Sequence, residues 1–389
     1  MRATVSCPTK FWAFYLAEQL QKRGALHRLY TSYYGRWGGK RNNQGLDIPV
    51  DRVSTNLAAA ALFYGYNPGT DLFRNRFFGN WVARNLSDEN IVTTWGLSAL
   101  PIIERAHKLG IIAVVERGSS HVTHQRDILI EEYQKWGAPT HDLHHSFSKA
   151  RLEQEILEYD RADYVAIPSS FVERTFLEKG FPREKLIKTP YGVDLSSFRQ
   201  LVKHDNVFRV VFAGAMSLRK GVQYLLQAFA ELNLPNAELW LLGSKMPETE
   251  PFFKRYDGTF RYFGPQPQAK LHEYYSECSV FAMCSIEDGF GLVLPQAMAC
   301  GLPLICTTNT GGEDLIEDGK EGFILPIRDA EALKEKIIYL YDHQDICYEM
   351  GQAAKRKVQH GFTWDDYGEE IMCSYHKALG IYPACSKRA

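Results

Sequence analysis

The sequence predicts an α/β protein of two domains. The chain has 389 residues, more than one hydrophobic core ordinarily organises. Short apolar runs alternate along most of it with stretches of helical spacing. Residues 280–306 compress that alternation into one unit. Val280–Cys284 reads as a buried strand, and an acidic, glycine-rich loop follows. Leu292–Cys300 reads as a helix stopped by Gly301 and Pro303, and Leu302–Cys306 is the next strand. In open α/β sheets, ligands bind at loops leaving the carboxyl ends of strands.

Composition fits this class. Hydrophobic residues make up 45% and charged residues 23%, the balance of an ordinary globular protein. The net charge of −1 hides an asymmetry: residues 1–200 carry 26 Lys and Arg against 21 Asp and Glu. A basic first half suits an anionic partner such as a lipid surface or a charged acceptor. No nucleic-acid partner is expected. The 8 cysteines form no C-x-x-C pair and no metal spacing. Cys278, Cys284, Cys300 and Cys306 lie in apolar runs and read as reduced, buried thiols, which suggests a reducing compartment. Met1-Arg-Ala-Thr-Val opens directly into a strand, with no signal peptide and no apolar stretch long enough to span a bilayer. The expected location is cytoplasmic.

The elements follow in order. Ala3–Cys7 is the first strand, Phe11–Arg23 a helix ended by Gly24, and Leu26–Thr31 the second strand. The loop Pro8-Thr9-Lys10 is expected to face the cleft between the domains. Residues 33–86 mix aromatic side chains (Tyr33, Tyr34, Trp37, Phe63, Tyr64, Tyr66, Phe73, Phe77, Phe78, Trp81) with Arg36, Lys40, Arg41, Arg74 and Arg76. That mixture suits peripheral contact with an anionic membrane. The alternative is a helical insertion that packs its aromatics inward. Ile91–Thr94 and Ile111–Glu116 are strands around a helix at Pro101–Lys108, and the second runs into Arg117-Gly-Ser-Ser-His121. His121 competes there with His124, His141, His144 and His145. No carboxylate completes a metal set, so metal binding is not expected. Arg151–Tyr159 is a charged amphipathic helix and Ala162–Pro168 a strand. Ser169 and Ser170 cap a helix that runs to Gly180, and Lys185–Lys188 is a further strand.

The second half starts at Val207 with the strand Phe208–Phe212. The loop Gly214-Ala-Met-Ser-Leu-Arg-Lys-Gly221 then sets Arg219 and Lys220 at the start of the helix Val222–Leu232, an anion site by simple electrostatics. Glu238–Leu242 and Phe260–Phe263 are strands, and Gln268–Tyr275 is a helix. In the loop before Leu292, Gly289 and Gly291 let backbone approach a ligand closely. Asp288 and Gln296 flank that loop and can bond hydroxyl groups. A sugar joined to a diphosphate and a ribose would use all of these devices. Thr307–Glu313 is another polar glycine loop, and Asp318–Leu325 turns into an edge strand. Ala330–Tyr341, Asp345–Gln359 and Trp364 to about Leu379 are helices.

The stretch from Asp288 to Gln296 resembles the signature of retaining GT-B glycosyltransferases, family 4 in particular. That pattern is Glu-x7-Glu around Gly-Phe-Gly-Leu, here Gly289, Phe290, Gly291 and Leu292. Asp288 stands at the first Glu and Gln296 at the second, with Glu287 one residue early and able to compensate. The loop Gly214–Gly221 resembles the family's Gly-Arg-Leu-x-x-x-Lys-Gly. Lys220 and Gly221 match, Ala215 replaces the Arg, and Arg219 supplies charge from another position. Tyr191-Gly-Val-Asp and Phe198 resemble the family's hinge approach. The amino-terminal loop lacks the glycines frequent in the family.

The resemblance implies two Rossmann-like domains facing across a cleft: residues 1–198 on the acceptor side, a linker at 199–206, and the nucleotide-sugar domain at 207–361. A helix and tail at 362–389 would return to the first domain. It implies sugar transfer from a nucleotide-diphosphate donor to a glycan, lipid-linked or small-molecule acceptor, with retention and without metal or cofactor. Lys220 and Arg219 would meet the diphosphate, Asp288 the sugar hydroxyls and Gln296 the ribose. His121 would face the donor from the first domain, and Gly214, Gly311 and Gly312 would contact it. Two alternatives remain: another enzyme on the same fold, such as an inverting transferase or an epimerase, and a scaffolding protein that has lost turnover.

Overall fold

The computed structural model describes residues 1–9, 12–32, 34, 36–37, 40–41, 47–63 and 70–381, with residues 36–37 and 40–41 as backbone only. Lys10, Phe11, Tyr33, Tyr64 and Tyr66, and the side chains of Arg36, Trp37, Lys40 and Arg41, lie outside this set.

The first unit is built on the strands β1 (Ala3–Ser6), β2 (Leu26–Thr31), β5 (Val53–Thr55), β6 (Ile91–Trp95), β7 (Ile112–Glu116), β8 (Tyr164–Ile167) and β9 (Leu186–Lys188). A separate two-stranded antiparallel ribbon joins β3 (Arg36–Trp37) to β4 (Lys40–Arg41). The seven strands are parallel, in the order β5-β2-β1-β6-β7-β8-β9. The second unit holds six parallel strands: β10 (Phe208–Ala213), β11 (Ala237–Leu242), β12 (Arg261–Gly264), β13 (Val280–Met283), β14 (Leu304–Thr307) and β15 (Gly322–Leu325). Their order is β12-β11-β10-β13-β14-β15, which makes β15 the expected edge strand. The inner strands β1, β10, β13 and β14 are buried from end to end, and so read as apolar runs rather than alternations.

The helices of the first unit are α1 (Ala13–Lys22), α2 (Leu57–Phe63), α3 (Asp71–Asn85), α4 (Ala99–Leu109), α5 (Val122–Lys135), α6 (His141–Ser146), α7 (Lys149–Arg161) and α8 (Ser170–Leu177). Those of the second are α9 (Val222–Leu232), α10 (Glu250–Arg255), α11 (Leu271–Ser276), α12 (Val293–Ala299), α13 (Gly312–Leu315), α14 (Ala330–Asp342) and α15 (Gln344–Gln359), followed by α16 (Trp364–Ala378).

α16 returns to the first unit. A capping box starts it, with Asp366 N–H donating to Thr363 Oγ1 at 3.1 Å and Thr363 N–H to Asp366 Oδ2 at 2.8 Å. The Trp364 ring stacks on Tyr15 of α1 at 4.1 Å. Near the far end, Tyr375 and Thr93 of β6 bond through their hydroxyls. Val193 N–H donates to the Phe362 carbonyl at 2.8 Å, which ties the outgoing hinge to the returning chain.

Several elements differ from the sequence reading. α5 is not marked by an apolar pattern because two of its inward positions are Gln125 and Glu132. These face the second unit instead of a hydrophobic core. β5 is a three-residue edge strand too short to show a period. Leu57–Phe63 and Asp71–Asn85 form two helices that turn Phe78 and Val82 inward but leave Phe73 out, so neither reading of the aromatic segment holds for all its rings. Cys7, Cys278, Cys284, Cys300, Cys306 and Cys347 are free and buried. Cys373 is disulfide-bonded, so the reduced-thiol argument does not extend to it. Among the described residues, no helix is long and apolar enough to cross a membrane.

Candidate functional site

Two loops at the carboxyl ends of β10 and β13 meet to form the site. After β10, Ser217 caps a single 3-10 turn, Leu218–Lys220, by accepting the Lys220 N–H at 3.3 Å. Gly221 ends the turn with φ at +68°, and a Cβ there would run into the Cys284 carbonyl oxygen. Only glycine lets this loop lie against the end of β13. The result is an ion pair between Lys220 Nζ and the Asp288 carboxylate, both largely buried. Asp288 is held by its own N–H, which donates to the Asn309 carbonyl at 3.0 Å.

A cleft of about 200 Å³ opens over this pair. Lys220, Asp288, Gly214, Phe290, Gly291 and Leu292 line it from the second unit, and Trp12, Gly118 and Tyr191 from the first. Leu292 also borders a larger cavity of about 680 Å³, which Gln296 lines together with Tyr15, Gln268 and the hinge Gly192–Phe198. The start of α12 therefore lies between the two spaces.

Behind the cleft wall sits Glu116, at the end of β7. Its Oε1 accepts from Trp12 Nε1 at 3.0 Å and from the Tyr191 hydroxyl at 2.8 Å. Burial pushes its carboxyl up to about 7, against the pull of those two donors. Sequence reasoning passed over Glu116 and Trp12 as site residues and took Tyr191 only as part of the hinge. A charged residue ending the apolar run of β7 was the available signal for the first. The rings gave none, because their partner lies about a hundred residues away for Trp12.

Glu287, adjacent to Asp288, faces the other way. It is fully buried and accepts from Ser120 N–H and Ser120 Oγ at 2.9 Å, from Gln125 Nε2 at 2.9 Å and from Arg219 Nε at 2.7 Å. Burial alone would raise its carboxyl, but the Arg219 guanidinium and the Ser120 and Gln125 donors hold it down at about 2. Further contacts seal the same edge. Gly289 packs so closely that a Cβ would strike the Gly118 carbonyl oxygen, and its own carbonyl accepts from Ser169 Oγ at 2.5 Å. Asp314 accepts from Ser170 N–H and Oγ, each at 2.7 Å. Arg328 bonds Glu131 and Glu132 of α5, each at 2.6 Å.

Residues 195–357 match the family described as Glycosyl transferases group 1. That match spans most of the second unit. The D-inositol 3-phosphate glycosyltransferase of Arthrobacter sp. (strain FB24) is 29% identical over 212 residues, 50% of this chain and 50% of that protein. The capsular polysaccharide biosynthesis glycosyltransferase CapM of Staphylococcus aureus is 28% identical over 183 residues, 45% of this chain and 47% of that protein. The chain thus matches about half the length of these two relatives. Among solved structures, the sucrose-phosphate synthase of Thermosynechococcus elongatus superposes with a TM-score of 0.77 at 19% identity, covering 98% of this chain and 100% of that one. Anabaena HepE, solved in complex with UDP and glucose, gives 0.71 at 16% identity, covering 97% of this chain and 100% of that one. The fold is GT-B, two Rossmann-like units with a returning terminal helix.

Within the second unit, Lys220, Asp288, Gly214, Phe290, Gly291 and Leu292 come together at the smaller cleft and Gln296 at the adjoining cavity. Six expected site residues make other contacts in this structure. Arg219 is paired with Glu287 and, at 3.4 Å, reaches Ser119 Oγ, so it bonds across the interface between the units. Glu287 and Gly289 are interface groups for the reasons given. Gly311 and Gly312 have their N–H groups occupied, by the Phe290 carbonyl at 2.9 Å and Thr310 Oγ1 at 3.1 Å. They pack against Phe290 and Cys306 instead.

The last correction is His121. It is 7% exposed and caps α5, its Nδ1 accepting the Thr123 N–H at 3.3 Å. Its ring sits edge-on to Phe176 and Tyr159. Burial, aided by Arg117 and Lys179, pushes its pKa down to about 4, so it is neutral at physiological pH. It is a capping residue in a core, and Gly118 is the member of its loop that lines the cleft. His121→Ala is expected to cost about 1 kcal/mol through the lost cap. A lower melting temperature with turnover per folded molecule little changed would show this, and a collapse of turnover at unchanged stability would contradict it.

Proposed function

We propose that the protein is a retaining, family 4 type glycosyltransferase that uses a nucleotide-diphosphate sugar and acts in the cytoplasm, in polysaccharide or glycoconjugate synthesis. Its acceptor is a glycan, a lipid-linked glycan or a small molecule. The observation that carries this reading is the meeting of Lys220 and Asp288 over a cleft whose opposite wall comes from the other unit. Lys220 offers a point charge for the leaving diphosphate, where negative charge grows in the transition state. Asp288 accepts from sugar hydroxyls once the diphosphate competes for Lys220, and Gln296 reaches the ribose from the adjoining cavity. With Lys220 meeting that charge, the reaction calls for no metal. The relatives point the same way by name, as glycosyltransferases of inositol phosphate and capsular polysaccharide.

The scaffolding alternative draws on two observations: Ala215 stands where the family pattern has Arg, and Arg219 is turned into the interface. A transfer assay separates the readings. Nucleotide sugars are offered with pooled acceptors in the presence of EDTA, and the product anomer is read by NMR. Product of the donor's own anomeric configuration is expected. An inverted product would overturn retention, and activity only with added metal would overturn the metal-free reading. No product with any donor would favour the scaffold.

A further inference from the structure

The outer face of α3 carries side chains that the cleft does not use. α3 turns Phe78, Gly79, Val82 and Ala83 inward. Phe73, Arg76, Phe77, Asn80 and Arg84 point to solvent. Spacings of three and four place these five on one side of the helix. Phe73 is 64% exposed and Phe77 36%, so two phenyl rings one turn apart stand on the surface. α2 packs beside α3, and its first residue, Leu57, is 66% exposed. Apolar groups on both faces of a surface helix indicate that the outer face meets something besides water.

Charge selects the partner. Arg76 and Arg84 flank the rings, and the exposed face of α3 has no acidic side chain. The helix's acidic residue, Asp71, is turned inward and paired with Arg74 and Arg151. Phenyl rings framed by guanidinium groups suit the headgroup zone of a bilayer, where rings enter the acyl boundary and cations meet phosphate.

We propose that this face of α3 docks the first unit on an anionic phospholipid bilayer. The inference goes beyond the transfer reaction and does not depend on it.

The test is co-sedimentation of the full chain, without nucleotide, with phosphatidylcholine vesicles and with vesicles that also contain phosphatidylglycerol. Binding is expected only to the anionic vesicles, and it should fall as salt rises. Each arginine near an anionic surface is worth roughly fivefold in affinity, so Arg76→Glu with Arg84→Glu should weaken binding roughly twentyfold or more. Phe73→Ser should weaken it further. All three positions are exposed, so an unchanged melting curve confirms that the variants fold. No binding to anionic vesicles at low salt would overturn the proposal, as would equal binding by the double arginine variant. A variant that alters only self-association, with neither vesicle bound, would make the face a contact between copies and also defeat it. None of these outcomes touches donor binding, which is read separately.

Discussion

Lys220→Ala should lower transfer by about 10²–10³-fold, the loss seen when one preorganised donor to a developing negative charge is removed. The expectation rests on position. Lys220 lies at the end of a glycine-closed turn, pressed against β13 by Gly221, and its ammonium reaches the cleft beside Asp288. Arg219, one residue earlier, has no freedom to replace it, because Glu287 holds it. Lys220→Arg should rescue little, since a planar fork does not reproduce a point charge at that place. Stability should change modestly, because the freed Asp288 carboxylate borders an open cleft. Turnover of Lys220→Ala near that of the wild type, measured at saturating donor, would rule out the diphosphate role.

Glu287→Ala should be the most destabilising single change at the interface between the units. It removes the acceptor for two Ser120 donors, Gln125 and Arg219 together. Breaking a buried charged contact of this kind costs about 3–5 kcal/mol. For a chain of this size that corresponds to a fall in melting temperature of roughly 4–6 °C. The same group sets an acid limit. Its folded pKa of about 2 lies below the unfolded value near 4.3. The stabilisation is therefore fully present above about pH 4.3 and is lost as pH falls from there toward 2. The shift is worth on the order of 3 kcal/mol. Urea midpoints across that range should fall more steeply for the wild type than for Glu287→Ala. Parallel profiles would show that the carboxylate is not what holds the edge closed.

The contrast between Glu287 and Asp288 shows what a single sequence can convey. The strand, loop and helix around them were legible because buried parallel strands read as apolar runs and because glycines and Pro303 punctuate them. Which loop forms the site was legible for the same reason. That Glu287, beside Asp288, bonds the other unit was not, since that depends on a partner loop at Arg117–His121 far along the chain. His121 was misread for a related cause: a polar side chain after a strand end serves equally as a cap and as a ligand contact, and only its neighbours Phe176 and Tyr159 decide. α5 escaped notice because its inward polar residues serve the other unit, as Glu132 does in accepting from Gln223, Tyr224 and Arg328. Glu116 and its two aromatic donors form a wall assembled from three separate segments, which no local pattern announces.

The most direct test of the donor site is a melting-temperature comparison of the wild type and Lys220→Ala with UDP, GDP and ADP and their sugar conjugates, without metal. A ligand that binds the folded state must raise the melting temperature by mass action. The wild type should be stabilised by one nucleotide family, and Lys220→Ala should lose most of that shift. Equal stabilisation of both proteins, or of neither at millimolar ligand, would contradict a diphosphate held by Lys220.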